Sequence, residues 1–155
     1  MRTNSHPYGL FHVRGAENKR TKEQIYKGEH LYVTTSNKNN GVSGTSIEVG
    51  NKGGVITVDS ATEGKSFYQE HDFIGSDHVE VLTPCEFTMN RFRAMFVITM
   101  MNFNSFRYGF GRKRAQKRLK TEKILLPIVD KNHNEIDWEL IERYIKQISF
   151  SENLN

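Results

Sequence analysis

Asp59, Glu63 and Lys65, in the stretch VDSATEGKSF, have the residue types that a metal-dependent nuclease requires. In such enzymes carboxylates hold Mg²⁺ while a lysine helps to activate water. The spacing objects. Asp59 and Glu63 flank what reads as a turn, whereas those nucleases carry the aspartate well upstream on its own strand, and Glu-x-Lys is a common tripeptide pattern. A Mg-dependent nuclease built on Asp59, Glu63 and Lys65 is therefore kept as an alternative only. The stretch HDFIGSDH gathers His71, Asp72, Asp77 and His78, with Glu80 two residues on. On alternating strands these side chains are expected to cap turns and hydrogen-bond backbone rather than hold a metal. The histidines show no zinc spacing, and no Gly-rich phosphate loop is present. The prolines Pro7, Pro84 and Pro127 exclude the Asn- or Asp-Pro-Pro-aromatic motif of an amino-methyltransferase. Cys85 is the single cysteine, so neither an intrachain disulfide nor a thiolate metal cluster can form. No catalytic residue, metal or cofactor is expected.

A different chemistry is written in GFGRKRAQKRLKTEK. From Phe106 to Lys123 the chain carries Arg107, Arg112, Lys113, Arg114, Lys117, Arg118, Lys120 and Lys123 against Glu122 alone. That window holds a net +7, which leaves −3 for the remainder of a chain whose total is +4. The positive field thus belongs to one patch. Placed on a helix at about 100° per residue, Arg112 to Lys120 show a narrow apolar edge of Ala115 and Leu119, with the cations spread opposite. Most charge runs are simply solvated surface, but here the balancing acids are missing and arginine, whose fork matches phosphate, is frequent. Single-sign charge beside Tyr108 and Phe110 predicts a polyanionic partner, with Arg107, Arg112, Lys113, Arg114, Lys117, Arg118 and Lys120 on phosphates. Such contacts give affinity and register without sequence information. Base edges require forked polar groups, and TTSNKNNGVSGTS is rich in them, including Ser36, Asn37, Lys38, Asn39 and Asn40.

The elements that must position these groups follow from periodicity. The length, with 36% apolar and 26% charged residues, supports one domain with a real core and excludes wholesale disorder. Short β-branched and aromatic runs, YGLFHVRG, HLYVTTS, VSGTSIEV, VITVDS, KSFYQE and DFIGSDHVEVLTP, alternate with Gly- and Asn-rich turns. They predict five to seven strands in a twisted, mainly antiparallel sheet. After Pro84 the period becomes helical: Phe92, Met95, Phe96, Thr99, Met100 and Phe103 share a stripe, so the helix from Thr88 to Phe103 should lie deep against the sheet. Asp137 should cap a closing helix whose apolar face is Trp138, Ile141, Ile145 and Ile148. Strands first and helices later make an α+β fold: a sheet, a buried helix, a short basic helix and a C-terminal amphipathic helix. The start, MRTNSHPYG, lacks the apolar core of a signal peptide, and AMFVITMM is too short to span a bilayer, so a soluble cytoplasmic protein with no membrane association is expected.

Three blocks, YVTTSNKNNGVSG, GVITVDSATEGKSFYQEHDFIGSDHVEVLTP and YGFGRKRAQKRLKTEKILLPIVDKNHNEIDWELIERYIKQI, together resemble a target recognition domain. Such domains occur in the specificity (S) subunits of type I restriction-modification systems, and the resemblance is closest to the type IIB and IIG relatives. It runs from about Leu10 to Ile148, in the family's order. It implies a non-catalytic module that reads double-stranded DNA and directs a DNA adenine methyltransferase subunit, and in some systems a restriction subunit, to its site. By position, the resemblance implies that Arg112 to Lys120 would grip phosphate and that the loops at Ser36 to Asn40 and Ser60 to Lys65 would approach the groove, with Ser60, Thr62 and Lys65 as the second loop's candidate readers. The expected organisation is a flexible N-terminus over residues 1–9, one recognition domain over 10–150 and a tail over 151–155. Typical specificity subunits hold two such domains joined by long helices, and this chain shows one. A half-subunit that dimerises, a remnant of a longer gene and an excised fragment remain open. The run FSENLN resembles the end of such proteins, which would put any truncation on the N-terminal side. A subunit that occupies a methyltransferase without reading DNA is the other alternative.

Overall fold

The computed structural model describes residues 2–3, 9–129 and 135–148. The strands are β1 (Arg2–Thr3), β2 (Phe11–Gly15), β3 (His30–Val33), β4 (Val42–Ser46), β5 (Val55–Asp59), β6 (Ser66–Gln69), β7 (Phe73–Gly75), β8 (Val79–Pro84) and β9 (Lys123–Ile124). The helices are α1 (Arg91–Phe103), α2 (Gln116–Leu119) and α3 (Trp138–Gln147), with single 3₁₀ turns at Lys22–Gln24, Asn39–Gly41 and Asn104–Arg107. The α+β fold class of short strands followed by helices is as read from the sequence. Instead of one sheet, however, the strands divide among three. An antiparallel sheet has the order β2-β8-β5-β6, a second has β4-β3-β7, and β1 pairs with β9. β3 and β7 run parallel, a pairing that alternation along one strand does not reveal. Arg2–Thr3, within the expected flexible N-terminus, pair with β9, whereas the expected tail at 151–155 lies outside the described residues.

The central sheet is buried on both faces. On β8, Val79 and Val81 pack into one core with Val33, Val55 and Phe73, while Leu82 joins Ile56, Val58 and the helices on the other side. This is the period of two expressed twice: both side-chain sets of β5 are apolar or satisfied, so the strand is buried throughout. α1 covers the Leu82 face, but through Ala94, Val97 and Met101 rather than through the stripe expected from the sequence. Thr99 and Phe103 of that stripe point to solvent. A helix apolar around most of its girth does not announce its inner face, and the small Ala94 permits the close approach. Asn90 caps α1 by accepting from the Arg93 backbone N–H at 2.9 Å. At its other end Asn102 brackets the edge strand, accepting from Ser66 N at 2.7 Å and donating to Ser66 O at 3.0 Å.

α3 closes the fold, and Asp137 caps it by accepting from Leu140 N at 2.8 Å, as its position predicts. Ile141 and Ile145 are buried and Trp138 stacks on Phe87 at 4.6 Å, while Ile148 of the expected face is half exposed. Glu142 clamps α3 to α1 through Arg93 Nε at 2.6 Å and Asn90 Nδ2 at 3.0 Å. Burial works against ionisation there, yet the hydrogen bonds from Asn90 and Arg93 hold the Glu142 carboxyl below its ordinary value.

Glu80 behaves in the opposite way. It sits on β8 opposite Val58, on the helix-covered face, and is 7% exposed with its Oε2 lacking a hydrogen-bond partner among the described residues. Burial pushes its carboxyl above the ordinary value, although Gln116, Lys19, Ser60 and His78 pull the other way. A raised carboxyl binds its proton more tightly folded than unfolded, so stability is highest in acid and falls as pH rises past the unfolded value. Glu80→Gln is therefore expected to stabilise the protein at pH 7 by about 1 kcal/mol and to lose that advantage near pH 4. Thermal melts of both proteins across that range check it; parallel curves would mean that the ionised carboxylate is comfortably solvated.

Candidate nucleic-acid interface

The basic segment is organised around Arg114, the one member of the expected phosphate-binding set whose side chain is fully buried. Its Nε donates to Glu122 Oε2 at 2.9 Å and its Nη2 to Glu122 Oε1 and to the Met101 carbonyl at 3.0 Å. Nη1 donates to the Gly64 carbonyl at 2.6 Å and to Ser66 Oγ at 3.3 Å. A guanidinium has five N–H donors, and all five are used. Tyr108 lies over it, with its ring centroid 4.9 Å from Cζ, and donates its own hydroxyl to Glu122 Oε2 at 3.1 Å. Gly64 makes room for this assembly: at φ +69 it adopts a left-handed backbone, and a Cβ there would stand 3.0 Å from Arg114 Cδ. Arg114 is thus corrected from a phosphate ligand to an internal tie joining β6, the end of α1 and the basic segment.

The remaining cations stay on the surface. Arg107, Arg112, Lys113, Lys117, Arg118 and Lys120 are exposed, and among the described residues none of them has a carboxylate within 4.0 Å. They do not lie on one helix, as expected from the sequence. Gly109 and Arg112 pair across a tight turn, Arg112 to Ala115 are extended or irregular, and only Gln116–Leu119 is helical. The reason is Arg114, whose inward burial a regular surface helix would not permit. Leu119 is buried in the core, as its place on the apolar edge predicts. Phe110, Gly111, Lys113, Ala115, Lys117, Arg118 and Thr121 line a groove of ≈ 600 Å³. Aromatic rings stand among these charges: Arg107 lies 5.6 Å from the Phe106 ring and Lys113 5.9 Å from that of Phe110. Phe103 was expected in the buried stripe of α1 and Phe106 was not singled out, yet both are exposed. Their closeness in the chain to the cationic run is the signal that could have found them.

The two expected reading loops differ. The Ser36–Asn40 loop ends in two consecutive left-handed residues, Asn39 (φ 50) and Asn40 (φ 54), a conformation that asparagine tolerates well. Asn40 Nδ2 donates to the Tyr68 carbonyl at 2.7 Å and Gln69 Nε2 donates to the Asn40 carbonyl at 2.9 Å, which docks the loop on the Gln69 end of β6. Asn39 Nδ2 turns back to the Val42 carbonyl at 3.2 Å and Ser36 Oγ accepts from Lys38 N at 3.2 Å. Asn37 and Lys38 are exposed, and their side chains have no such internal bond among the described residues. The second loop adjoins the basic segment through Gly64 but is occupied with itself. Ser60 is buried with its Oγ on the His78 carbonyl at 2.9 Å, so it cannot reach a base edge and is corrected to a turn residue. Thr62 Oγ1 donates to Asp59 and Lys65 Nζ to Ser105 Oγ at 3.2 Å.

The nuclease trio is not assembled either. Asp59 is buried, and its carboxylate accepts from Ala61 N (2.7 Å), Thr62 N (3.1 Å) and Gly64 N (3.3 Å) as well as from the Thr62 hydroxyl. Its lone pairs are committed to the turn, while Glu63 points to solvent. Of the acidic cluster, Asp72 accepts from Gly53 N at 2.9 Å and Lys52 Nζ at 2.7 Å, the turn-capping role expected of it. Among the described residues no group of three or more His, Cys, Asp or Glu side chains is placed to hold a metal ion, and no helix is long and apolar enough to cross a membrane.

The pattern of the family described as the type I restriction modification DNA specificity domain matches residues 8–155. The specificity subunit S.BcgI of the type II restriction enzyme BgcI from Heyndrickxia coagulans is 32% identical over 94 residues, which is 61% of this chain and 26% of that protein. The crystal structure of the S subunit of a type I restriction-modification system from M. genitalium shares the fold, with a TM-score of 0.52 and 12% identity over 86% of this chain and 34% of that one. The chain spans about a quarter of the curated relative and a third of the solved structure. With nearly the whole described fold inside the matched residues, this chain belongs to the family of type I restriction modification DNA specificity domains.

Proposed function

We propose that this domain binds double-stranded DNA sequence-specifically and directs a partner DNA methyltransferase, and a restriction subunit where one exists, to its site. The observation that carries the reading is the groove of Lys113, Lys117 and Arg118, extended by Arg112 and Lys120, whose exposed cations have no carboxylate among the described residues to neutralise them. Phosphate oxygens are the ligands that suit such a surface. In this reading the work is divided. Lys113, Lys117 and Arg118 fix the duplex, and Asn37 and Lys38 at the docked loop present an amide and an ammonium to base edges, to adenine and guanine respectively. The two sites are connected through β6, whose Ser66 meets Arg114 and whose Gln69 holds the Asn40 carbonyl. No side chain here is assigned a catalytic step, so the chemistry belongs to the partner. One such domain reads one part of a split target, the other part falling to a second recognition domain. Selection from a random duplex pool at moderate salt tests the reading. Enrichment of one defined motif is expected; a folded protein that enriches none would overturn it.

A further inference from the structure

We propose that Phe110 is a wedge that inserts between base pairs and bends the bound duplex, an inference that rests on the DNA-binding reading above. Among the described residues every phenylalanine that stands mainly in solvent lies between Phe103 and Phe110: Phe103 is 76% exposed, Phe106 74% and Phe110 86%. Scattered apolar side chains on a surface need no explanation, but three rings within eight residues, on the rim of the most basic surface, do. Phe110 occupies the tip of the turn closed by Gly109 and Arg112, whose backbone groups pair at 2.9 and 3.3 Å. Nothing crowds the Gly109 and Gly111 positions on either side, so the ring stands clear of the protein.

The base of the turn, by contrast, is fixed. Tyr108 precedes it and Arg114 follows it, and both are held by Glu122. A wedge requires this combination of projecting ring and rigid support, because an unsupported loop would fold away instead of prising apart a stacked base step. The same groove that includes Phe110 includes Lys113, Lys117 and Arg118. Phosphates seated on those cations would bring the bases of that strand to the ring. Aromatic faces stack on any base, and apolar wedges of this kind partly unstack a step and bend the duplex by roughly 20–90°. The deformation is easiest at flexible pyrimidine–purine steps, so Phe110 would add selectivity at a position that no hydrogen bond reads.

The test uses the full chain and a duplex of about 30 base pairs carrying the motif enriched from the random pool, end-labelled for energy transfer and substituted with 2-aminopurine at successive steps. The parent protein is expected to shorten the end-to-end distance and to raise 2-aminopurine fluorescence at one step. Phe110→Ala is expected to abolish both signals and to weaken binding roughly tenfold, with the salt dependence unchanged, since no phosphate contact is lost. Phe110→Trp should restore bending. Because the ring is exposed, none of these variants should alter the fold. If Phe110→Ala bends and binds like the parent, the wedge is overturned while the DNA reading stands. If the pool yields no enriched duplex, the DNA reading fails and takes the wedge with it.

Discussion

Replacing Arg114 with alanine is expected to destabilise the protein by about 3–5 kcal/mol, the range for removing one partner of a buried ion pair. The loss goes beyond one Coulombic contact. Glu122 would remain in a site where the residue is 9% exposed, with the Tyr108 hydroxyl as its one donor among the described residues, and the Gly64 carbonyl would lose the N–H group that satisfies it. Each orphaned acceptor keeps its desolvation cost. Urea unfolding measures the effect; with about 2 kcal/mol per molar denaturant for a protein of this size, the midpoint should drop by roughly 2 M. Arg114→Lys retains the charge but not the fork, so it should recover only a fraction of the loss. The pair Arg114→Met with Glu122→Leu removes both charges and is expected to be more stable than either single change. An Arg114→Ala protein within about 1 kcal/mol of the parent would mean that the buried ion pair does not hold the segment.

The contrast between Arg114 and its neighbours shows what the sequence could convey. Strand order along the chain, the Asn-rich turn at Asn39 and Asn40, the Asp137 cap and the inward Leu119 are local matters, set by propensity and period, and each was legible. The depth of Arg114 was not. In the one-dimensional pattern it is one cation among eight, and only the fold places Glu122, Gly64, Ser66 and Met101 around it. Likewise the division of the strands into separate sheets depends on the parallel pairing of β3 with β7, which joins segments far apart in the chain. The buried face of α1 was misread because hydrophobicity cannot rank faces when nearly all are apolar; the size of Ala94 decided it. Of the candidate site, the charged half was legible as composition. The reading half was not, because whether Ser60 or Asn37 reaches outward depends on which backbone groups claim the side chain first.

Neutralising Lys113, Lys117 and Arg118 together is expected to weaken DNA binding by roughly 500-fold at about 0.1 M salt, while leaving the fold unchanged. Each cation that meets a phosphate releases about 0.9 condensed counterion, so three lost contacts should flatten the slope of log affinity against log salt by about 2.7. Extrapolated to about 1 M salt, where counterion release contributes nothing, parent and variant should converge, and the difference at the lower salt follows from the slopes alone. The side chains are exposed and have no carboxylate partner among the described residues, so glutamine at all three positions removes charge without stranding a buried partner. Titrations against the enriched duplex and a scrambled duplex across a salt series provide the measurement. Because phosphates are the same in every sequence, both duplexes should weaken by the same factor. Asn37→Ala should do the reverse, reducing the ratio between the two duplexes with little change in slope. A triple variant whose slope matches the parent would remove these residues from the phosphate contact. One that loses only the enriched duplex would make the groove itself the reader, and the docked loop on β6 would then need another role.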